Sequence, residues 1–262
     1  MSYISFISLI LLANLSYAQD VSALCGQSDL NQISFSNGVE RRQNPELTVI
    51  TWNAQKYSDP VFFKDFKRLS ETADVFLVQE AMHTFELEKA FTQNLNFDFS
   101  FHKSFCMPGK QATGVMNSAR YELINNVTFP SPDVEPITFT HKVTAYSQVY
   151  FNGQIVHIFN THGLNFNIGT PFERQMFAIA KEISKLSGPV IWAGDFNTWN
   201  GPRKKYMKKI TTALHLKHLK PAKDPRNLVL DHVYIKGFSS GTSEVLIENS
   251  SDHFPVRAVL KL

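Results

Sequence analysis

The stretch Val190-Ile-Trp-Ala-Gly-Asp-Phe-Asn-Thr-Trp-Asn200 constrains this chain more than any other. Gly188 and Pro189 precede it as turn residues, and Val190 to Ala193 form a short apolar run that suits a buried strand. Gly194 closes the run. Asp195 and Asn197 follow with one residue between them, so in extended chain they point the same way while Phe196 points opposite. A carboxylate and an amide at a strand end, anchored by an aromatic ring, can hold a water and a charged oxygen together. An isolated Asp-x-Asn more often starts a turn. The rest of the chain decides between these readings.

The same pattern recurs along the sequence. Leu47 to Asn53 is a β-branched strand that ends in Asn, and Asp74 to Glu80 is a buried strand that ends in Glu. Between them, Val61, Phe62, Phe66 and Leu69 fall at helical spacing over Pro60 to Glu71. Phe85 to Leu95 reads as helix. Phe97 to Phe105 alternates aromatic and polar residues, as a half-buried strand does, and Thr113 to Ala119 reads as strand. Asn125 to Pro136 is Pro-rich and reads as loop. Val143 to Phe151 and Gln154 to Thr161 flank Asn152-Gly153, a strong hairpin signal. The second arm runs into Asn160-Thr-His162. Pro171 to Leu186 is helical. Leu228 to Ile235 reads as a strand broken by Asp231 and His232, with short strands at Val245 to Ile247 and Phe254 to Leu260.

The chain of 262 residues shows no linker, repeat or low-complexity block, so one compact domain is expected over 46–262, with residues 19–45 an extension laid across it. Residues 1–18 read as a signal peptide: Ile4 to Leu15 is almost wholly apolar, too short for a comfortable span, and Ser16-Tyr17-Ala18 offers small residues to a peptidase. No Lys or Arg precedes the apolar run, a departure from the usual pattern. Export to the periplasm or beyond, without a membrane span after cleavage, is the expectation, and a monomer is the expected state. Two cysteines in an exported chain, Cys25 and Cys106, invite one disulfide. The formal net charge of +3 implies no strong field. Gly201 to Arg226 is nonetheless densely basic, and Arg203, Lys204, Lys205, Lys208 and Lys209 are candidates for contacting substrate phosphates.

Polar side chains thus stand at the edges of apolar runs at Asn53, Glu80, His162, Asp195 with Asn197, Asp231, and Asp252 with His253. Singly, each has a bland account as a cap or turn. Together they suggest phosphoester hydrolysis. Their hard oxygen donors suit Mg²⁺ or Mn²⁺ better than zinc, and histidines beside carboxylates supply acid–base groups near neutral pH. No zinc-spaced Cys/His cluster, P-loop or nucleophile elbow is present.

Trp52-Asn53, Val78-Gln79-Glu80, Asn160-Thr-His162, Gly194-Asp-Phe-Asn197, Leu230-Asp-His-Val233 and Ser251-Asp-His253 resemble, in order, the motif series of the endonuclease/exonuclease/phosphatase superfamily (the DNase I-like fold), and within it a bacterial subgroup. The resemblance covers roughly Glu46 to Leu262. It implies an α/β, four-layer αββα sandwich with two packed, mainly antiparallel sheets. It also implies roles. Asn53 and Glu80 would hold the divalent metal, with Asp252 close by. Asp195 would position the attacking water and Asn197 would bind the phosphoryl oxygen. His253, oriented by Asp231, would be base or phosphate ligand, and His162 would serve the phosphate or leaving oxygen. The expected substrate is a phosphodiester, with nucleic acid first. A sphingomyelinase-like lipid enzyme is second; its membrane contact would fall to exposed aromatics, for which Phe97, Phe99, Phe101 and Phe105 are candidates. A non-catalytic binding protein on the same fold is the third reading.

Overall fold

The computed structural model describes residues 23–26, 30–36, 44–94, 96–166 and 169–262. The expected signal peptide lies outside them, as does Leu95. In chain order the elements are α1 (Ala23–Gly26), β1 (Gln32–Phe35), β2 (Leu47–Asn53), α2 (Phe62–Ser70), β3 (Val75–Met82), α3 (Phe85–Asn94), β4 (Asp98–Cys106), β5 (Ala112–Ala119), β6 (Ile124–Val134), β7 (His141–Phe151), β8 (Gln154–His162), α4 (Thr170–Ser184), β9 (Val190–Asp195), α5 (Gly201–Ala213), β10 (Lys217–His218), β11 (Asp231–Lys236), β12 (Ser240–Val245) and β13 (Val256–Lys261).

The strands form two sheets, ordered β1-β4-β5-β3-β2-β13-β12 and β10-β11-β9-β8-β7-β6. Pairing is antiparallel except for β2 with β3 and β8 with β9. Alternation along each strand separates the core into three layers. Val49, Leu77, Ile158, Ile191, Val233 and Ala258 fill the space between the sheets. On the outer face of the first sheet, Trp52 and Phe76 pack against Phe62 and Phe66 of α2 and Phe91 of α3. On the outer face of the second, Phe159 and Trp192 pack against Phe172 and Met176 of α4 and Met207 of α5. The architecture is the expected αββα sandwich. Helix α5 starts where Asn200 accepts the Arg203 N–H and Pro202 occupies the first turn.

Three expectations about elements are corrected. Asn125 to Pro136 is not a loop: β6 runs through Pro130 and Pro132. It is an edge strand with two irregularities in its pairing to β7, and an edge tolerates residues that cannot donate to a ladder. Strand β11 starts at Asp231 rather than being broken there. The short strand expected at 245–247 is instead Ser240–Val245, a polar edge strand whose period-two burial carries few apolar residues. The segment before residue 46 contributes β1, which pairs with β4. Cys25 and Cys106 form a disulfide, their Cα atoms 6.0 Å apart. A loop of this length corresponds to roughly 4 kcal/mol of stabilisation in the chain-entropy account.

Candidate active site

Glycine at 194 decides where the site forms. Its φ is +138°, and a Cβ there would sit 2.0 Å from the Thr161 carbonyl oxygen. Only glycine lets β9 approach β8 this closely, and the resulting register sets Asp195 beside His162. Strand β3 has its own device. Its pairing with β5 shifts between Gln79 and Ala81, and Glu80 at the shift has φ +49°. A bulge re-aims one side chain, and a non-glycine residue in this region is strained. Beneath, the Gln79 amide donates to Asn160 Oδ1 at 2.6 Å, tying the two sheets together under the site. Trp52 Nε1 donates to the His253 carbonyl at 2.8 Å, and the Ser251 hydroxyl to the Asn53 carbonyl at 2.6 Å, which bind the loop before β13 to the end of β2.

The centre is a buried cluster. His253 Nδ1 lies 3.0 and 3.1 Å from the two Asp231 oxygens. Its Nε2 faces Asp195 Oδ2 at 4.0 Å. Asp195 is held by three donors: the Asn53 amide at 3.1 Å, the Asn197 backbone N–H at 2.9 Å and the Asn197 amide at 3.4 Å. Across the cleft, His162 Nε2 is 3.7 Å from Asp195 and 3.8 Å from Glu80. The Lys142 ammonium donates to the same nitrogen at 3.3 Å.

Electrostatics separate these groups. Burial pushes Asp195 up to about 7, reinforced by the like charge of Asp231 and opposed by His253 and the donors. Burial disfavours the His253 imidazolium, but the Asp231 carboxylate outweighs it and raises the ring to about 10. His162 goes the other way: burial, then the charges of Lys142, His253 and Lys56, hold it neutral. Burial also lowers the Lys142 ammonium, against the pull of Glu80, Glu135 and Asp195. A carboxylate poised near 7 beside a persistent imidazolium is a paired base and cation.

Asn53 and Glu80 offer oxygens at the cleft edge, and the donor set fits a hard divalent cation. Glu80 already carries a cation in ion pair, the Lys56 ammonium, so its carboxylate is presented to positive charge there. Asn53 Oδ1 accepts one N–H, from Gln55, which leaves its second lone pair. Asp195, Asp231 and His253 also place ligand-type atoms within 4.8 Å of one another.

Several expected residues stand elsewhere. Arg203 is not a phosphate contact. It is buried, donates to the carbonyls of Leu164, Asn165 and Asn197, and lies between the rings of Phe172 and Trp199. Asn197 does not present a free amide to a phosphoryl oxygen, because its amide nitrogen is turned to the Gly163 carbonyl at 2.9 Å and to Asp195. Asp252 is exposed and outside the buried cluster; the Ser251 hydroxyl is its hydrogen-bond neighbour, at 3.5 Å. Lys204 and Lys208 line a cavity of about 660 Å³ beside α5, with His218, His232 and Tyr234 on its wall. Lys205 and Lys209 are exposed. Lys204 and Lys208 thus line a cavity on the α5 side of the second sheet, whose lining also includes Asp231.

Sequence reading missed Lys142, Lys56 and Arg226. Nothing in Thr140-His-Lys142 marks the lysine; only the pairing of β7 with β8 brings it to His162. Arg226, the end of the basic stretch, donates to the Asp231 carbonyl at 3.0 Å and pairs with Asp224.

Two packed sheets with helices outside, and a His–Asp cluster at the strand ends, are the architecture of the phosphoesterase hydrolase fold. Residues 50–253 match the Endonuclease/Exonuclease/phosphatase family, and the chain belongs to that family. A UPF0294 protein of Photorhabdus laumondii is 30% identical over 219 residues, covering 80% of this chain and 82% of the relative. Among solved structures, an endonuclease/exonuclease/phosphatase from Beutenbergia cavernae is similar with a TM-score of 0.67 and 18% identity, covering 84% of this chain and 72% of that one. TDP2 of D. rerio, complexed with a single strand DNA product, gives 0.60 and 13% over 84% of this chain and 100% of its own.

Proposed function

We propose that this protein is an exported, divalent-metal-dependent phosphodiesterase whose substrate is nucleic acid. The observation that carries the reading is the trio Asp231–His253–Asp195, in which one carboxylate holds the imidazole charged and the other, buried, stays poised near neutrality. Asp195 takes a proton from a water as the water oxygen bonds to phosphorus and the bond from phosphorus to the leaving oxygen breaks. The His253 imidazolium donates to a phosphoryl oxygen and offsets its growing charge. Asn53 and Asn197 keep Asp195 aimed. Opposite, the Lys142 ammonium and the neutral His162 ring line the leaving side. A metal ion held by Glu80 and Asn53 would add Lewis-acid stabilisation of the phosphoryl oxygen. The disulfide supports an oxidising compartment, as the first 18 residues do.

The test is hydrolysis of bis-p-nitrophenyl phosphate and of plasmid and oligonucleotide substrates with Mg²⁺ or Mn²⁺. Loss of turnover in EDTA and in His253→Ala is the expected result. Turnover that survives both would overturn the reading.

A lipid-directed phosphodiesterase is the second reading. Phe97, Phe99 and Phe101 do not support it, since all three are buried. Ile137 and Phe139 do: they stand 66% and 78% exposed on the turn between β6 and β7. Among the described residues no helix is long and apolar enough to cross a membrane.

A further inference from the structure

Beside Asn197, a recess of about 410 Å³ opens between the chain after β8 and the chain after β9. Asn165, Phe166, Asn197, Trp199, Leu228 and Leu230 line it. Phe166, Leu228 and Trp199 are exposed, by 59%, 48% and 39%. Apolar rings gathered at the mouth of a polar cleft are a surface that a ligand can cover.

Both walls are held rigidly. The Arg203 guanidinium lies 4.9 Å from the Trp199 ring centroid and 4.5 Å from that of Phe172. Its donors engage the carbonyls of Leu164, Asn165 and Asn197, so one buried cation staples the two loops together. Trp199 Nε1 donates to the Asn165 carbonyl at 3.2 Å. On the opposite wall, the Glu135 carboxylate accepts the backbone N–H groups of Asn165 and Phe166 at 2.6 and 3.2 Å. Arg203 and Glu135 are both buried. Their effect is to hold the Trp199 ring and the backbone that carries Phe166 beside the recess, and a preorganised platform loses little entropy when a ligand stacks on it. The Asn165 side-chain amide has no partner among the described residues and can hydrogen-bond a heterocycle edge.

The geometry points to a stacking subsite for an unpaired nucleobase next to the phosphodiester held at Asp195 and His253, which makes single-stranded nucleic acid the substrate class. This placement rests on the hydrolytic reading above. A flat heterocycle matches aromatic rings beside the Asn165 amide, and Lys142 and Lys56 across the cleft match its backbone phosphates. A base within a duplex is already stacked and enters only after it has been unpaired and flipped out, which an unpaired base need not do. The acyl chain of a lipid has no hydrogen-bonding edge for the Asn165 amide to meet.

The protein contains three tryptophans, of which Trp52 and Trp192 are fully buried, so a ligand-induced change in indole fluorescence reports on Trp199. His253→Ala protein is titrated with a single-stranded oligothymidylate, an abasic oligonucleotide of equal length, a duplex, and sphingomyelin vesicles. Expected are quenching by the single strand and binding at least tenfold weaker for the abasic strand and the duplex. Phe166→Ala weakens single-strand binding about tenfold, and Trp199→Phe retains it by calorimetry while removing the signal. Equal affinity for the abasic strand, or a response to vesicles alone, overturns the subsite. If every variant and the wild type lack metal-dependent turnover while base-dependent quenching persists, the hydrolytic reading fails and the subsite stands.

Discussion

Strand β11 shows two faces with opposite electrostatics. On the face toward the other sheet, Asp231 meets His253 and the imidazole is held charged, with its pKa raised to about 10. On the face toward α5, the next residue, His232, meets Thr198 at 2.6 Å and His218 at 3.1 Å. There burial holds His232 neutral, and burial with Lys220 and Arg226 lowers His218 to about 4. Desolvation acts against the imidazolium on both faces. A carboxylate in hydrogen-bond contact reverses the outcome on one and is missing on the other. Burial alone therefore does not set the protonation of a histidine; its first partner does.

The comparison breaks most visibly if its carboxylate is removed. Asp231→Asn should drop the His253 pKa by several units and cut kcat by about a thousandfold or more, as loss of an orienting carboxylate does in triads. An NMR titration alongside the kinetics checks this, and a ring that still titrates near 10 would assign the shift elsewhere. Next is Lys142→Met. It should lower kcat roughly 10- to 100-fold and raise the His162 pKa, because a neighbouring cation is gone, with Lys142→Arg restoring part of both. The converse experiment adds a carboxylate to the neutral face. Thr198→Asp, placed against His232, should raise that pKa by about 2 units, read by the same titration; no change would mean that desolvation dominates regardless of partner.

The smallest effect is on stability. His218 has a depressed folded-state pKa, so the unfolded chain binds the proton first as pH falls. Its contribution is complete above about 6.5 and is lost as pH drops toward about 4. His218→Asn should flatten the urea-unfolding profile across that window by about 1–2 kcal/mol, a figure already reduced for partial exposure. His253 has the opposite sign: its contribution is present below about 6.5 and is lost as pH rises through about 10.

Much of this was legible in residue order. The runs ending at Asn53, Glu80, His162 and Asp195 marked one end of the sheets, and two cysteines in a chain expected to be exported suggested their bond, whereas Asp231 and His232 read as a break in a strand that in fact starts there. The errors share a cause. Arg203 and Lys204 are neighbours in a basic run, yet helical geometry buries the first between two rings and leaves the second on a cavity rim. The prolines of β6 read as loop because sequence does not say which strand will be an edge.

What the sequence determined by itself is local: period, turn chemistry, the glycine before Asp195, and the identity of the polar residue that ends each run. What only the tertiary structure decided is partnership. Lys142 reaches His162 through strand pairing, Arg203 steadies Trp199 from between two loops, and Asp231 rather than its neighbour holds His253. Protonation and exposure depend on distances of a few ångströms between residues far apart in the chain, and those distances exist only once the sheets have packed.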